Sequence, residues 1–337
     1  MIPGFIREQP DVVERCFATA RAFRPPWPLE GLRAIALVGS GSSFNALQTV
    51  RQRFLCAKRG PVLVYEPEDF TDDLASGVLE GLLVVILSQS GASATSVAAL
   101  AASRAAGLPA LAVTASAASP LGLQVGQVLV LPIGEEPVGP KTKGFLGSVA
   151  ALIALAESLG APPAPSLAVE AIQVLIAPAR AAAHALAGEL GRVDTIFISG
   201  RRAFHGIALE ASLKISEMAG IPCAAFPTEE LLHGRLHGVT AESLVMMLCG
   251  GPDEVAEARR VQAVMVRHGC RVIPVAASGT DWPPGPAGPT APWDAPALII
   301  PFQWLAVALA EKRGLRPEAM RYGALSRELA IKLQDPR

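Results

Sequence analysis

The feature that most constrains the fold is a series of short, unbroken apolar runs separated by segments of helical length. AIALVG (34–39), PVLVYE (61–66), LLVVIL (82–87), PALAVT (109–114) and QVLVLP (127–132) alternate with stretches such as FNALQTVRQRFL and SATSVAALAASRAAG. A strand with one face in water alternates apolar and polar residues, whereas one that stays apolar throughout is covered on both faces. Parallel neighbours also need long crossovers, which helices supply. The pattern predicts an α/β fold built on a doubly wound parallel sheet flanked by helices. Gly107 and Pro109 fit the close of one such helix before the next strand.

The pattern then recurs. A long alanine-rich helical region (145–190) leads to TIFISG (195–200), LVMMLCG (244–250), RVIPVAA (271–277) and ALIIPF (297–302), all read as strands. LVGSGSSFNALQ (37–48) and FISGRRAFHGIALE (197–210) match at an offset of roughly 160 residues, each a strand, a glycine turn, an aromatic and a small-residue helix. Such self-similarity marks a repeated unit. We expect two tandem domains, 1–165 and 166–337, the second ending in a C-terminal tail. The proline- and glycine-dense segment 278–296 reads as a surface excursion.

Composition excludes several functions. With a formal net charge of -1 and no basic block, the chain lacks the cationic surface that nucleic acid requires. No apolar span of about 20 residues is uninterrupted, so no membrane segment is expected. The start, MIPGFIREQP, lacks the order of a signal peptide. These features read as a soluble, cytoplasmic protein. Five cysteines (16, 56, 223, 249 and 270) are scattered without a C-x-x-C pair, which speaks against a disulfide framework or a zinc site.

Two hydroxyl-rich stretches follow predicted strands: GSGSS (39–43) and LSQSGAS (87–93). In open parallel sheets, ligands sit beyond the carboxyl ends of the strands, where helix N-termini offer free N–H groups. Ser42, Ser43, Ser88, Gln89, Ser90 and Ser93 supply neutral donors there, with no lysine or arginine in either loop. The set suits a phosphate monoester. It lacks the lysine of a nucleotide-triphosphate loop, and Phe44 stands where a dinucleotide fingerprint needs glycine. Serine is also a favoured helix cap, but two such loops in one sheet exceed what capping requires.

The second copy carries ALEASLKISEMAGIPCAAFPTEELLHGRLHGV (208–239). Glu210, Lys214 and Glu217 fall on one helical face. Of 29 basic residues only six are lysines, so Lys214 stands out in a chain that otherwise uses arginine. His233 follows beside Gly234. His237, four residues on, raises a metal pair, yet no third ligand is in view, so no metal is expected. A carboxylate, an amine and a histidine suit proton transfer between carbons next to a sugar carbonyl, with the histidine opening the ring.

Taken together, GSGSSFN, LSQSGAS, GEEPVGPKTKGF, ALEASLKISE and FPTEELLHGRL resemble the double-SIS sugar isomerases, specifically the isomerase half of glucosamine-6-phosphate synthase. The resemblance implies that Ser42, Ser43, Ser88, Gln89, Ser90 and Ser93 hold the phosphate. It implies Glu217 as isomerising base beside Lys214, and His233 as ring-opening group reaching over from a neighbouring subunit of a homodimer. No cofactor is implied. The chain departs from the family in opening with MIPGF rather than a glutaminase domain, in Ala92 for a loop glutamate, and in Arg235 for proline. Its tail offers Lys332 or Arg327 where the family carries a Schiff-base lysine, and only Lys332 can form an imine. The expected function is a hexose- or hexosamine-6-phosphate isomerase or deaminase. The alternatives are a fructosamine-6-phosphate deglycase and a non-catalytic sugar-phosphate sensor.

Overall fold

The computed structural model describes the chain except residues 29, 125, 164–168, 277–279, 281, 283–291 and 334–337, so most of the 278–296 excursion lies outside the described residues. Two compact units are present. One comprises Asp11–Glu136, Lys143–Ser166 and Tyr322–Arg337, the other Met1–Pro10, Pro137–Thr142 and Leu167–Arg321.

The first unit holds strands β1 (Ala34–Val38), β2 (Val62–Tyr65), β3 (Leu82–Leu87), β4 (Ala110–Thr114) and β5 (Val128–Val130). All pair in parallel, in the order β2-β1-β3-β4-β5. Residues 34, 36 and 38 of β1 join Val84, Ile86, Ala110 and Ala112 in a core closed by Phe70, Val97 and Leu100. Helix Ser42–Leu55 packs on β1, β2 and β3 and on helix Lys143–Ser158. Helices therefore cover both faces, which is why β1, β3 and β4 are buried along their whole length.

The second unit holds β6 (Thr195–Gly200), β7 (Cys223–Pro227), β8 (Ser243–Leu248) and β9 (Arg271–Val275), all parallel, in the order β7-β6-β8-β9. This repeats the order of β2-β1-β3-β4, so the duplication read from sequence extends to topology. Helix Ala203–Ala219 crosses β6 and β7 and packs on helix Ile299–Lys312, which in turn packs on helix Val169–Glu189.

One sequence reading needs correction, one is refined, and one strand went unread. ALIIPF is not a strand: it opens helix Ile299–Lys312, buried from Ile299 through Ala310. A short apolar run is ambiguous alone, and here burial continues for twelve residues, eleven of them apolar and the other Gln303, too long for a strand. Pro301 is tolerated because it sits in the first turn. Region 145–190 is two helices, parted at Gly160 (φ 109°) and the prolines that follow. Strand β7 was missed because CAAFP is a half-exposed edge strand with little branched character.

Candidate active site

In the first unit, β2 lies on one side of β1 and β3 on the other, so strand order reverses between β1 and β3. Both hydroxyl-rich loops leave this point, where open α/β sheets place their ligands. They come together because of Gly39: a Cβ there would lie 3.0 Å from the Leu87 carbonyl oxygen and 3.1 Å from Ser43 Cβ. Ser42 and Ser43 then open helix Ser42–Leu55 through a Gly41 turn with φ 57°, a conformation suited to glycine.

The LSQSGAS loop is fixed from beneath. The Ser88 N–H donates to Val113 O at 3.0 Å, and the Gly91 N–H donates to Ser88 O at 3.0 Å. Gly91 has φ 64°, and a Cβ there would fall 2.0 Å from Ser119 Oγ, so only glycine fits. Ser93 caps helix Ala94–Ala105, its Oγ accepting from the Ser96 N–H at 3.4 Å. Ser88 is buried, Gln89 and Ser93 are half-buried, and Ser90 is exposed. The Gln89 amide lies against Gly144 in the first turn of helix Lys143–Ser158. That helix start is capped by buried Glu136, which accepts from the Lys143 and Gly144 N–H groups at 3.2 and 3.1 Å.

The tail joins this loop. Lys332 pairs antiparallel with Ser93; the Ala94 N–H donates to Ile331 O at 3.2 Å and the Leu333 N–H to Ala92 O at 2.8 Å. Paired residues on antiparallel strands point to the same side, so Lys332 stands on the Ser93 side of the ribbon. Arg327 lies upstream on the short helix Leu325–Glu328.

In the second unit, helix Ala203–Ala219 brings Glu210, Lys214 and Glu217 together as the spacing predicts, but the cluster is not a solvated pair. Lys214 Nζ lies 3.5 Å from Glu210 Oε1 and also contacts Glu217 Oε2; side-chain exposures are 0% for Glu210, 1% for Lys214 and 22% for Glu217. Glu217 is the member open to a ligand. His233 pairs with Glu229, Nε2 to Oε1, at 2.9 Å and is 73% exposed; His237 is also exposed.

Among the described residues the second copy differs at the matching loops. Its turn is the same: Arg202 (φ 55°, ψ −122°) repeats the backbone of Gly41 (φ 57°, ψ −132°), and the Phe204 N–H donates to Arg201 O as the Ser43 N–H donates to Ser40 O. The counterpart of Ser43 is therefore Phe204, not the counterpart of Phe44. A Cβ on Gly250 would lie 2.5 Å from Phe204 Cε2, so the ring fills the space between the loops after β6 and β8. Sequence reading missed this filling ring, the Glu136 cap and the Gln89 seat on Gly144. Only the loss of serines from LCGGPDE signalled the difference.

Residues 29–158 match the family model described as SIS domain. The chain is 28% identical over 250 residues to the isomerizing glutamine–fructose-6-phosphate aminotransferase of Streptococcus pyogenes serotype M1, covering 69% of this chain and 41% of that protein. It thus spans about two fifths of the length of such relatives. In fold it is similar to a candidate phosphosugar isomerase from Clostridium difficile 630, with TM-score 0.86, 21% identity and 98% of each chain covered. It is similar also to glucosamine-6-phosphate deaminase from Thermotoga maritima, with TM-score 0.78, 20% identity, and 96% of this chain and 98% of that one covered. A SIS-domain match thus covers residues 29–158, and 250 residues of the chain align with part of the aminotransferase. The family match stops at residue 158, and the second unit shares the strand order. Among the described residues no helix is long and apolar enough to cross a membrane.

Proposed function

We propose that the chain is a phosphosugar isomerase or aminosugar-phosphate deaminase acting on a hexose or hexosamine 6-phosphate. The reading rests chiefly on two neutral, hydroxyl-rich loops meeting where strand order reverses between β1 and β3. Ser42, Ser43, Ser88, Gln89, Ser90 and Ser93 hold the phosphate through hydroxyl, amide and helix N-terminal donors. Relatives whose names include fructose-6-phosphate and glucosamine-6-phosphate support this ligand class.

For the chemistry, Glu217 takes a proton from C2 of the open-chain aldose and returns it to C1, passing through an enediol or enolamine. Lys214 orients Glu217, and Glu210 balances the lysine charge inside the helix face. His233 accepts the anomeric hydroxyl proton and delivers it to the ring oxygen as the C1–O5 bond breaks. With an amino group at C2, the resulting imine is hydrolysed by water to the ketose and ammonia. Lys332 is the tail amine. The exposure of His233 is compatible with a homodimer in which it serves the neighbouring copy.

The test is incubation of the purified chain with fructose 6-phosphate and glucosamine 6-phosphate, following hexose interconversion and ammonia release. Turnover lost in Glu217→Gln with binding retained is expected. Turnover undiminished by that change overturns the base assignment. A rise in melting temperature with either ligand but no product assigns the chain to sensing.

A further inference from the structure

Around His233 the structure contains a chain of charged groups that neither phosphate binding nor the Glu217 cluster uses. His233 Nε2 meets Glu229 Oε1 at 2.9 Å. The other oxygen of that carboxylate faces Arg201 NH2 at 4.0 Å. Arg201 is itself gripped by Glu257, NH1 to Oε2 at 2.8 Å and NH2 to Oε1 at 3.1 Å. Three elements contribute: the turn after β6, helix Thr228–Leu232 and helix Pro252–Val266.

Exposed ion pairs add little stability, so strength is not what this series contributes. Its effect is directional. A carboxylate only accepts, so its partner on the ring must be Nε2–H. That leaves Nδ1 as the nitrogen with a free lone pair. We infer that Glu229 is a positioning residue that fixes the His233 tautomer, presenting Nδ1 as the group that exchanges the proton, with Arg201 and Glu257 holding Glu229 in place. This rests on the ring-opening role proposed for His233. Other charged groups lie beside the series: Glu254 acts on Arg201 along with Glu257 and Glu229, Glu230 is engaged with Arg235 at 3.0 Å, and Arg235 covers the Phe226 ring.

The balance of the step follows. The sugar O1–H proton moves to Nδ1 while the C1–O5 bond breaks, and the same proton passes to O5. The Nε2–H bond to Glu229 persists throughout, so the imidazolium that forms briefly faces a carboxylate, as in an orienting acid–histidine pair.

The experiment compares Glu229→Ala, His233→Ala and the double variant in the full chain. Glu229→Ala is expected to lower kcat by about 10- to 100-fold with KM within about twofold. In the His233→Ala background the same change is expected to have no further effect. Imidazole nitrogen NMR supplies a readout independent of turnover: Nε2–H dominates in the wild-type chain and a mixture appears in Glu229→Ala. An equal kcat loss in both backgrounds, or a ring tautomer unmoved by Glu229→Ala, overturns the inference. If His233→Ala turns over like wild type, the ring-opening role fails while the tautomer measurement still reports on Glu229.

Discussion

Lys214 Nζ lies 3.5 Å from Glu210 Oε1, and both side chains are sealed from solvent within the second unit. A buried ion pair adds little by existing, yet removing one partner takes from the other buried charge its neutralising neighbour, at a cost of about 3–5 kcal/mol. Lys214→Met is therefore expected to destabilise the chain by about that amount in a urea titration. Lys214→Met with Glu210→Gln is expected to recover most of the loss, because both charges of the buried pair are then removed together. Activity stays absent in both, since Glu217 has lost the amine that orients it.

Gly144 is expected to govern ligand affinity. Alanine in the body of a helix ordinarily adds roughly 0.5–1 kcal/mol over glycine. At Gly144, however, the new methyl would lie 2.2 Å from the Gln89 amide and must displace it. Gly144→Ala should weaken fructose 6-phosphate binding about tenfold, equivalent to about 1.4 kcal/mol, with chain stability nearly unchanged. Calorimetric titration measures the first and thermal melting the second.

Arg202 occupies a backbone conformation that glycine takes in the first copy. Holding a side chain there costs roughly 1–3 kcal/mol, while glycine gives back about 0.4–1 kcal/mol through the unfolded chain. Arg202→Gly is expected to raise stability by about 1 kcal/mol, read as a higher denaturation midpoint at unchanged slope.

His205 should make stability pH-dependent. Burial holds its imidazole below the ordinary 6.5, and Nδ1 is buried with no hydrogen-bond partner. The unfolded chain then binds the proton more readily than the folded one. The stabilising contribution is present in full above pH 6.5 and is lost as pH falls below it. His205→Gln is expected to flatten the stability profile on that side of neutrality, measured by urea midpoints from pH 7.5 downward.

Much of this was legible in the primary structure, and the reasons are local. Strands β1, β3 and β4 announce themselves because burial on both faces demands unbroken apolar runs. Glu210, Lys214 and Glu217 are found together because helical spacing alone puts them on one face. The burial of Glu210 and Lys214 was not legible, since it depends on what packs over the face. Likewise the meeting of Gln89 with Gly144, far apart in sequence, follows from tertiary placement, as does the seating of Lys332 opposite Ser93. ALIIPF misled because six apolar residues fit either period.

The aromatic ring of Phe204 has a consequence for stoichiometry. Although the chain carries the same turn twice, one of them is closed by its own hydrocarbon, so on the proposed reading only the first copy offers a monoester a berth among the described residues. A duplicated scaffold has in this way become asymmetric: one half keeps open the space between its two loops, and its twin has filled the matching space with an aromatic ring.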